Sequence, residues 1–177
     1  MADPLNVKIN NARVARREAR LDDAYEEYQN AVSLCRRDGK KGKLIVALKG
    51  LAQIERDRGH SDAALPSYLE AVNVARELDD ELVLAHTIRH LADLYQDIGN
   101  LNSAESSYME ALAIYRADSR TGPLDLANAI RPMALLMEKL ARINDARKLW
   151  EEAGRLYIKA AVDEGVGECQ RAIKRCT

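Results

Sequence analysis

Apolar residues recur every three or four positions along most of the chain, the spacing at which side chains share one face of an α-helix. The segment RHLADLYQDIG illustrates the pattern. An α-helix turns by about 100° per residue, so Leu91, Ala92 and Tyr95 lie within roughly 60° of Ile88. The pattern predicts a chain built of amphipathic helices, each with one buried and one polar face.

A signature of a small residue, an aromatic residue and a second small residue recurs along the chain. Ala24, Tyr28 and Ala31 form the first copy, and the same residue types return after 40 residues, after 40 more and after a further 42. The later copies are Ala64, Tyr68 and Ala71; Ala104, Tyr108 and Ala111; and Ala146, Trp150 and Ala153. Each copy follows another amphipathic segment, so the repeat unit is predicted to be a helical hairpin.

Turn and cap residues divide each hairpin. The preceding segments end at Gly59 and Gly99 in the middle copies and at Ala141 in the last, where a glycine is expected. Short side chains that carry oxygen open the second helices, where they suit the acceptance of hydrogen bonds from first-turn amides. These residues are Asp22, Asp62, Asn102 and Asn144. The segments RRDGKKGKL, RELDDEL and RADSRTGPL are predicted to connect one hairpin to the next.

The repeated positions resemble those of the tetratricopeptide-repeat family. The third copy carries the resemblance most fully, through Leu91, Ala92, Tyr95, Gly99, Ala104, Tyr108 and Ala111. The common repeat is about 34 residues long, whereas these units span 40 to 42 residues, which is similar to the kinesin light chain type. HEAT and armadillo repeats have similar lengths and are the structural alternative.

This resemblance implies an all-α, right-handed superhelical solenoid of antiparallel helical hairpins. Residues 1–177 form a single domain in this prediction, with four repeats at about 5–40, 45–80, 85–120 and 127–160. Asp3 and Pro4 offer a helix cap followed by a proline at the first helical position. At the other end, residues 163–176 are predicted to form a capping helix, because Val166, Cys169 and Ile173 lie on one stripe with Cys176.

In the family, the first helix of each hairpin lines the concave surface of the superhelix. His86, His90, Asp93 and Asp97 lie opposite the apolar face of their helix, so the resemblance places them in the concave groove. The same register, extended to the other first helices, adds Asp57, Asn128, Leu135 and Lys139 to the groove surface. The residues predicted to bind a partner are Arg13, Arg16, Arg17, Lys49, Gln53, Arg56, His86, Arg89, His90, Asp93, Gln96, Asp97, Arg131 and Glu138. The groove is predicted to be basic at its N-terminal end.

His86 and His90 could also share a metal ion, because they lie four residues apart on one helix. A single straight helix rarely brings together enough ligands, and the glutamate of a HExxH motif is missing. The chain also has no glycine-rich phosphate loop or Gly-x-Ser-x-Gly turn. The sequence therefore predicts no enzyme activity, no metal and no cofactor.

The charge and cysteine content exclude further classes of protein. The chain has 27 basic and 28 acidic residues, so a nucleic-acid partner is not expected. No apolar stretch approaches the roughly 18 residues of a membrane span, and the start MADPLNVKIN lacks a signal-peptide core. Three scattered cysteines indicate free thiols in a reducing compartment. A cytoplasmic protein without a membrane partner is expected.

The sequence favours a non-enzymatic protein–protein interaction module that binds a peptide segment in the concave groove, and the basic end of the groove favours an acidic segment. Fold resemblance alone assigns no partner. One alternative is a homo-oligomeric scaffold that associates through the edge of the superhelix or its terminal helix. The other is a metal-binding protein that uses His86 and His90.

Overall fold

The computed structural model describes residues 3–176, and within that range the chain forms nine α-helices and no strands. Met1, Ala2 and Thr177, which the predicted domain includes, lie outside the described residues. The helices are α1 (Pro4–Arg17), α2 (Leu21–Arg37), α3 (Lys41–Asp57), α4 (Ser61–Arg76), α5 (Glu81–Asp97), α6 (Leu101–Ala117), α7 (Pro123–Lys139), α8 (Ile143–Lys159) and α9 (Asp163–Arg175).

Each helix packs mainly against its neighbours in sequence. Among the described residues, the backbones of helices two positions apart come close between α1 and α3, α3 and α5, and α5 and α7. Side-chain ion pairs also join α7 to α9 and consecutive even-numbered helices, as Arg36 and Glu70 do between α2 and α4. The odd-numbered helices therefore form one row and the even-numbered helices a second row. This arrangement confirms the predicted all-α solenoid of antiparallel hairpins.

The repeated small and aromatic residues build the core. Ala24, Ala64, Ala104 and Ala146 are completely buried, and the aromatic residue four positions after each of them is at most 4% exposed. Alanine lets the two helices of a hairpin approach closely, and the ring fills the space beside the contact. The sequence signature therefore specifies the packing of each hairpin.

Gly50 allows a close contact between the first and second repeats. A Cβ atom added at Gly50 of α3 would overlap the ring of Tyr28 on α2. Gly42 lies on the same helix, and a Cβ there would meet no atom within 4 Å. Gly50 is therefore required by packing, whereas Gly42 is not.

Residues with positive φ end many of the helices. Gly59 and Gly99 have φ angles of 81° and 78°, as the sequence predicts for helix-ending glycines. Ala141 replaces glycine in the fourth repeat but keeps the same conformation, with φ at 57°. A left-handed alanine is strained by contact between its Cβ and the backbone. The tight turn therefore holds Ala141 in a backbone conformation that alanine by itself disfavours.

The caps of the second helices lie two residues earlier in the chain than the sequence predicts. The second helices begin one residue before Asp22, Asp62, Asn102 and Asn144, so these side chains occupy the first turn rather than the cap. Because the left-handed residue reverses the chain so tightly, the next helix begins almost at once. Of the four actual cap residues, only Asn100 accepts a side-chain hydrogen bond, from the amide of Ser103.

The additional residues of each repeat lie largely in helices rather than in connectors. Only residues 38–40, 77–80 and 118–122 separate one hairpin from the next. Most of RRDGKKGKL, predicted to be a connector, belongs to the end of α2 and the start of α3. Helices of 16 or 17 residues in the last three hairpins account for the long repeat.

Both ends of the described chain agree with the predicted caps. Asp3 accepts a hydrogen bond from the amide of Leu5, and Pro4 is the first residue of α1. At the other end, α9 packs against α8 and buries Cys169 and Cys176. Both thiols are free, as is that of the buried Cys35. None of the helices within residues 3–176 has the length and apolar character needed to cross a bilayer.

Candidate functional site

The residues predicted to face the groove share one surface. They lie on α1, α3, α5 and α7, and every one of them is at least partly exposed. Their side chains also contact one another from helix to helix, as Lys49 and His86 do across α3 and α5. We call this row of side chains on the odd-numbered helices the inner surface.

Ion pairs join successive repeats along one edge of the inner surface. The Nε atom of Arg16 lies 2.5 Å from the carboxylate of Asp57, and that of Arg56 lies 3.0 Å from the carboxylate of Asp97. Further along, Lys139 donates to the carbonyl oxygen of Gln96 at 3.3 Å. Two of the arginines predicted to make the groove basic are therefore neutralised within the chain.

Positive charge without a carboxylate partner remains at three predicted positions. Arg13, Arg17 and Lys49 have no ion pair among residues 3–176, although Arg13 lies beside the hydroxyl of Tyr28. Burial against the groove wall, together with the nearby Arg89, lowers the pKa of Lys49 to about 8. The N-terminal end of the inner surface is therefore basic, but through a smaller set of residues than the sequence indicates.

A connected polar cluster lies at the centre of the inner surface. The ammonium of Lys49 donates to Nδ1 of His86 at 2.8 Å, and the rings of His86 and His90 meet edge to face with centroids 4.6 Å apart. Arg89 lies 3.3 Å from Nε2 of His90. These donors assign the ring protons to Nε2 of His86 and Nδ1 of His90, because lysine and arginine only donate.

Asp93 anchors this cluster to the second helix of its hairpin. The hydroxyl of Tyr108 donates to one of its carboxylate oxygens at 2.6 Å, and Arg89 approaches the other at 3.4 Å. Burial alone would raise the pKa of Asp93, but hydrogen bonds from His90 and Tyr108 hold that pKa below its usual value. Burial and the charges of Lys49 and Arg89 lower the pKa of both histidines, which are neutral at pH 7.

The histidine pair is not arranged as a metal site. One ring nitrogen of each histidine faces a cation, since His86 accepts from Lys49 and His90 contacts Arg89. Within the described part of the chain, no three His, Cys, Asp or Glu side chains are grouped so that they could hold a metal ion.

The last helix engages the C-terminal end of the inner surface. Glu168 of α9 pairs with Arg131 at 2.8 Å, and Arg175 pairs with Glu138 at 3.2 Å. The indole of Trp150 also donates to Glu138 at 2.6 Å. Both predicted binding residues of the fourth repeat are thus held by contacts within the chain.

Two adjoining cavities open along the N-terminal half of the inner surface. The first, of about 380 Å³, lies between α3, α5 and the connector that precedes α7; its walls are Gly42, Ile45, Val46, Lys49, Leu78, Leu82, Val83, His86, Tyr115, Thr121 and Asp125. The second, of about 300 Å³, is lined by Arg13, Arg16, Tyr28, Val46, Lys49, Gly50, Gln53, Tyr68, His86 and His90. The cavities share Val46, Lys49 and His86, so they adjoin each other at these residues.

The apolar wall of the first cavity lies outside the set of residues predicted from the sequence. Val46 precedes Lys49 by one helical turn, and Leu82 and Val83 precede His86 in the same way. Helical spacing could have extended the predicted stripe to these residues. The contribution of Thr121 had no such signal, because it depends on how the connector folds.

The tetratricopeptide-repeat sequence profile matches residues 3–77 and 51–117, which together cover more than half of the chain. The chain therefore belongs to the tetratricopeptide-repeat family, whose fold generally serves as a non-enzymatic scaffold for protein–protein interaction. No curated protein sequence is significantly similar to the chain.

Solved structures confirm the long-repeat, kinesin light chain-like architecture. A kinesin light chain-like protein of Podosopora anserina with nearly identical TPR-like repeats has a TM-score of 0.76 at 15% identity, over 99% of this chain and 95% of that one. A Rap protein complexed with Competence and Sporulation Factor has a TM-score of 0.84 at 13% identity, over 99% and 53%. The apo form of RapI gives 0.85 at 13% identity, over 97% and 66%.

Proposed function

We propose that the chain binds an extended segment of another protein along the inner surface, with its main contacts on α3 and α5. The observation that carries this proposal is the pair of adjoining cavities that meet at Val46, Lys49 and His86. It combines apolar walls with donors that have no carboxylate partner among the described residues. Such a combination suits a peptide that presents apolar and acidic side chains in turn.

Two cations define the acidic part of this preference. Arg13 and Lys49 both line the second cavity, and neither has an ion pair within residues 3–176. Arg16 lines the same cavity but pairs with Asp57. A carboxylate of the partner would therefore be held mainly by Arg13 and Lys49. The Rap protein complexed with Competence and Sporulation Factor supports the use of this fold in binding.

A library of random peptides tests the proposal. The wild-type chain should select acidic peptides, and a double variant, Arg13→Glu with Lys49→Glu, should bind them more than about tenfold more weakly, because it replaces attraction by repulsion. Arg16 and Arg56 are unsuitable positions for this experiment, since their reversal breaks ion pairs between repeats.

A matched control separates the groove from general charge. Lys148 and Arg155 lie exposed on α8, in the other row of helices, and neither has an ion pair among the described residues. The double variant Lys148→Glu with Arg155→Glu carries the same change in net charge and should bind like the wild type. Equal loss in both variants, or no loss in either, contradicts the proposal.

Self-association is a second candidate function, and one observation favours it. Leu69 and Met109 are 40% and 57% exposed on α4 and α6, and they occupy the same position in consecutive repeats. Exposed apolar side chains that recur in this way suit contact with a second copy. Light scattering over a concentration series decides the question, since a mass that stays at one chain throughout excludes this candidate.

A further inference from the structure

The first cavity has the composition of a small-molecule site. Its volume of about 380 Å³ lies within the range of roughly 300–1,000 Å³ that is typical of ligand pockets. Apolar side chains supply most of the exposed wall, and the polar side chains of the lining are those of Lys49, His86, Tyr115, Thr121 and Asp125. Sites for small ligands combine mostly apolar walls with a small number of polar groups that fix orientation.

Lys49 is the cation of this cavity. Its ammonium donates one hydrogen bond to His86, and no carboxylate pairs with it among the described residues. An ammonium has three donors, so two remain for a ligand. A depressed pKa of about 8 agrees with an amine that has no stabilising anion beside it.

Thr121 supplies a second polar group. Its hydroxyl oxygen is buried and has no hydrogen-bond partner within residues 3–176. A buried hydroxyl without a partner is destabilising, so a ligand atom that accepts its hydrogen bond is favoured. Because Thr121 lies in the connector that borders the cavity, a ligand oxygen could accept this hydrogen bond.

Asp125 limits the charge of the ligand. It lies in the first turn of α7, where the helix amides favour a negative charge, and it also lines the cavity. The carboxylate of Asp125 would repel a second carboxylate on the ligand. The lining therefore suits one anionic group beside Lys49 and an otherwise apolar body.

We propose that this cavity binds a small monocarboxylic acid with an apolar body, whose carboxylate is held by Lys49 and whose body packs against the walls from α3 and α5. This site does not depend on peptide binding, since only part of its lining belongs to the second cavity. A bound acid would occupy Lys49 and so exclude a carboxylate of a protein partner from the same amine.

Calorimetric titration with straight-chain acids from butanoate to decanoate tests the site. Affinity should rise by about fourfold for each added methylene until the cavity is full, as expected for burial of about 0.8 kcal/mol per methylene. Octanol and octylamine, which have the same number of carbon atoms but no carboxylate, should bind at least tenfold more weakly than octanoate. The absence of octanoate binding, or equal binding of the three compounds, overturns the proposal.

Substitutions at the cavity test whether octanoate binds there. Lys49→Met should weaken octanoate at least tenfold and leave octanol unchanged, whereas Val83→Phe should weaken both by filling the cavity. Lys148→Glu, which lies exposed on α8 outside both cavities, should leave octanoate binding unchanged and provides the control. Binding of octanoate that Lys49→Met and Val83→Phe leave intact also overturns the proposal. Circular dichroism of each variant checks that it is folded.

Discussion

Lys49 of α3 donates a hydrogen bond to Nδ1 of His86 on α5, with 2.8 Å between the two nitrogens. This contact joins the second and third repeats at the centre of the inner surface, where the two cavities meet. A lysine that faces a neutral ring instead of a carboxylate keeps its charge available for a partner. The functional proposals both depend on this residue.

The binding of acidic peptides should depend on the protonation of Lys49. Its pKa is lowered to about 8, first by burial and then by Arg89. Affinity should be constant below about pH 7. Above pH 8 it should fall by up to about tenfold per pH unit, because the amine of Lys49 must then take up a proton before it can hold a carboxylate. Fluorescence anisotropy with a labelled acidic peptide from pH 6 to 9.5 measures this effect.

A charge that does not titrate provides the control for this pH dependence. Lys49→Arg keeps the positive charge up to pH 12 and should remove the fall in affinity above pH 8. The other charged or titratable groups that face this amine or line its cavities are Arg13, Arg16, Tyr28, Tyr68, His86, Arg89, His90, Tyr115 and Asp125. An unchanged pH profile in Lys49→Arg would assign the dependence to one of these groups instead.

Gly50→Ala should destabilise the chain by about 1–3 kcal/mol, because its new methyl group overlaps the ring of Tyr28 and forces the hairpins apart. Gly42→Ala on the same helix should stabilise it by up to about 1 kcal/mol, since it gains helix propensity and meets no atom. Urea denaturation of both variants gives the two free energies of unfolding. Equal values for the two variants would show that the close contact at Gly50 does not exist.

Ala141→Gly should stabilise the chain by about 1 kcal/mol, because glycine removes the strain of the left-handed conformation at this turn. Ala113→Gly, at an exposed position within α6, provides the control and should destabilise it by about 1 kcal/mol. Thermal unfolding followed by circular dichroism compares the two. A loss of stability in Ala141→Gly would contradict the turn geometry described for the fourth repeat.

The fold could be predicted from the sequence because its determinants are local and repeated. The recurring Ala-Tyr-Ala signature specifies the contact within each hairpin, and helical spacing specifies which face is buried. The cap positions were predicted wrongly, since the left-handed residues at Ala19, Gly59, Gly99 and Ala141 shorten the turns more than the positions of Asp22 or Asn102 indicate.

The candidate site was predicted only in part. Helical register identified the side of α5 that carries His86 and Asp93. It did not predict the ion pairs that neutralise Arg16 and Arg56. Arg16 and Asp57 are 41 positions apart, and their pairing depends on how α1 and α3 are offset in the superhelix. Thr121 borders a cavity through the course of a five-residue connector. Such contacts follow from the packing of whole repeats rather than from local spacing.

Cross-linking of a bound peptide tests the central proposal most directly. An acidic peptide selected by the wild-type chain is synthesised with a photoreactive side chain, irradiated in the complex and mapped by mass spectrometry. The account predicts cross-links on the inner surface of α3 and α5, close to Val46, Lys49 and His86. Cross-links confined to the exposed faces of α4, α6 or α8 would contradict it.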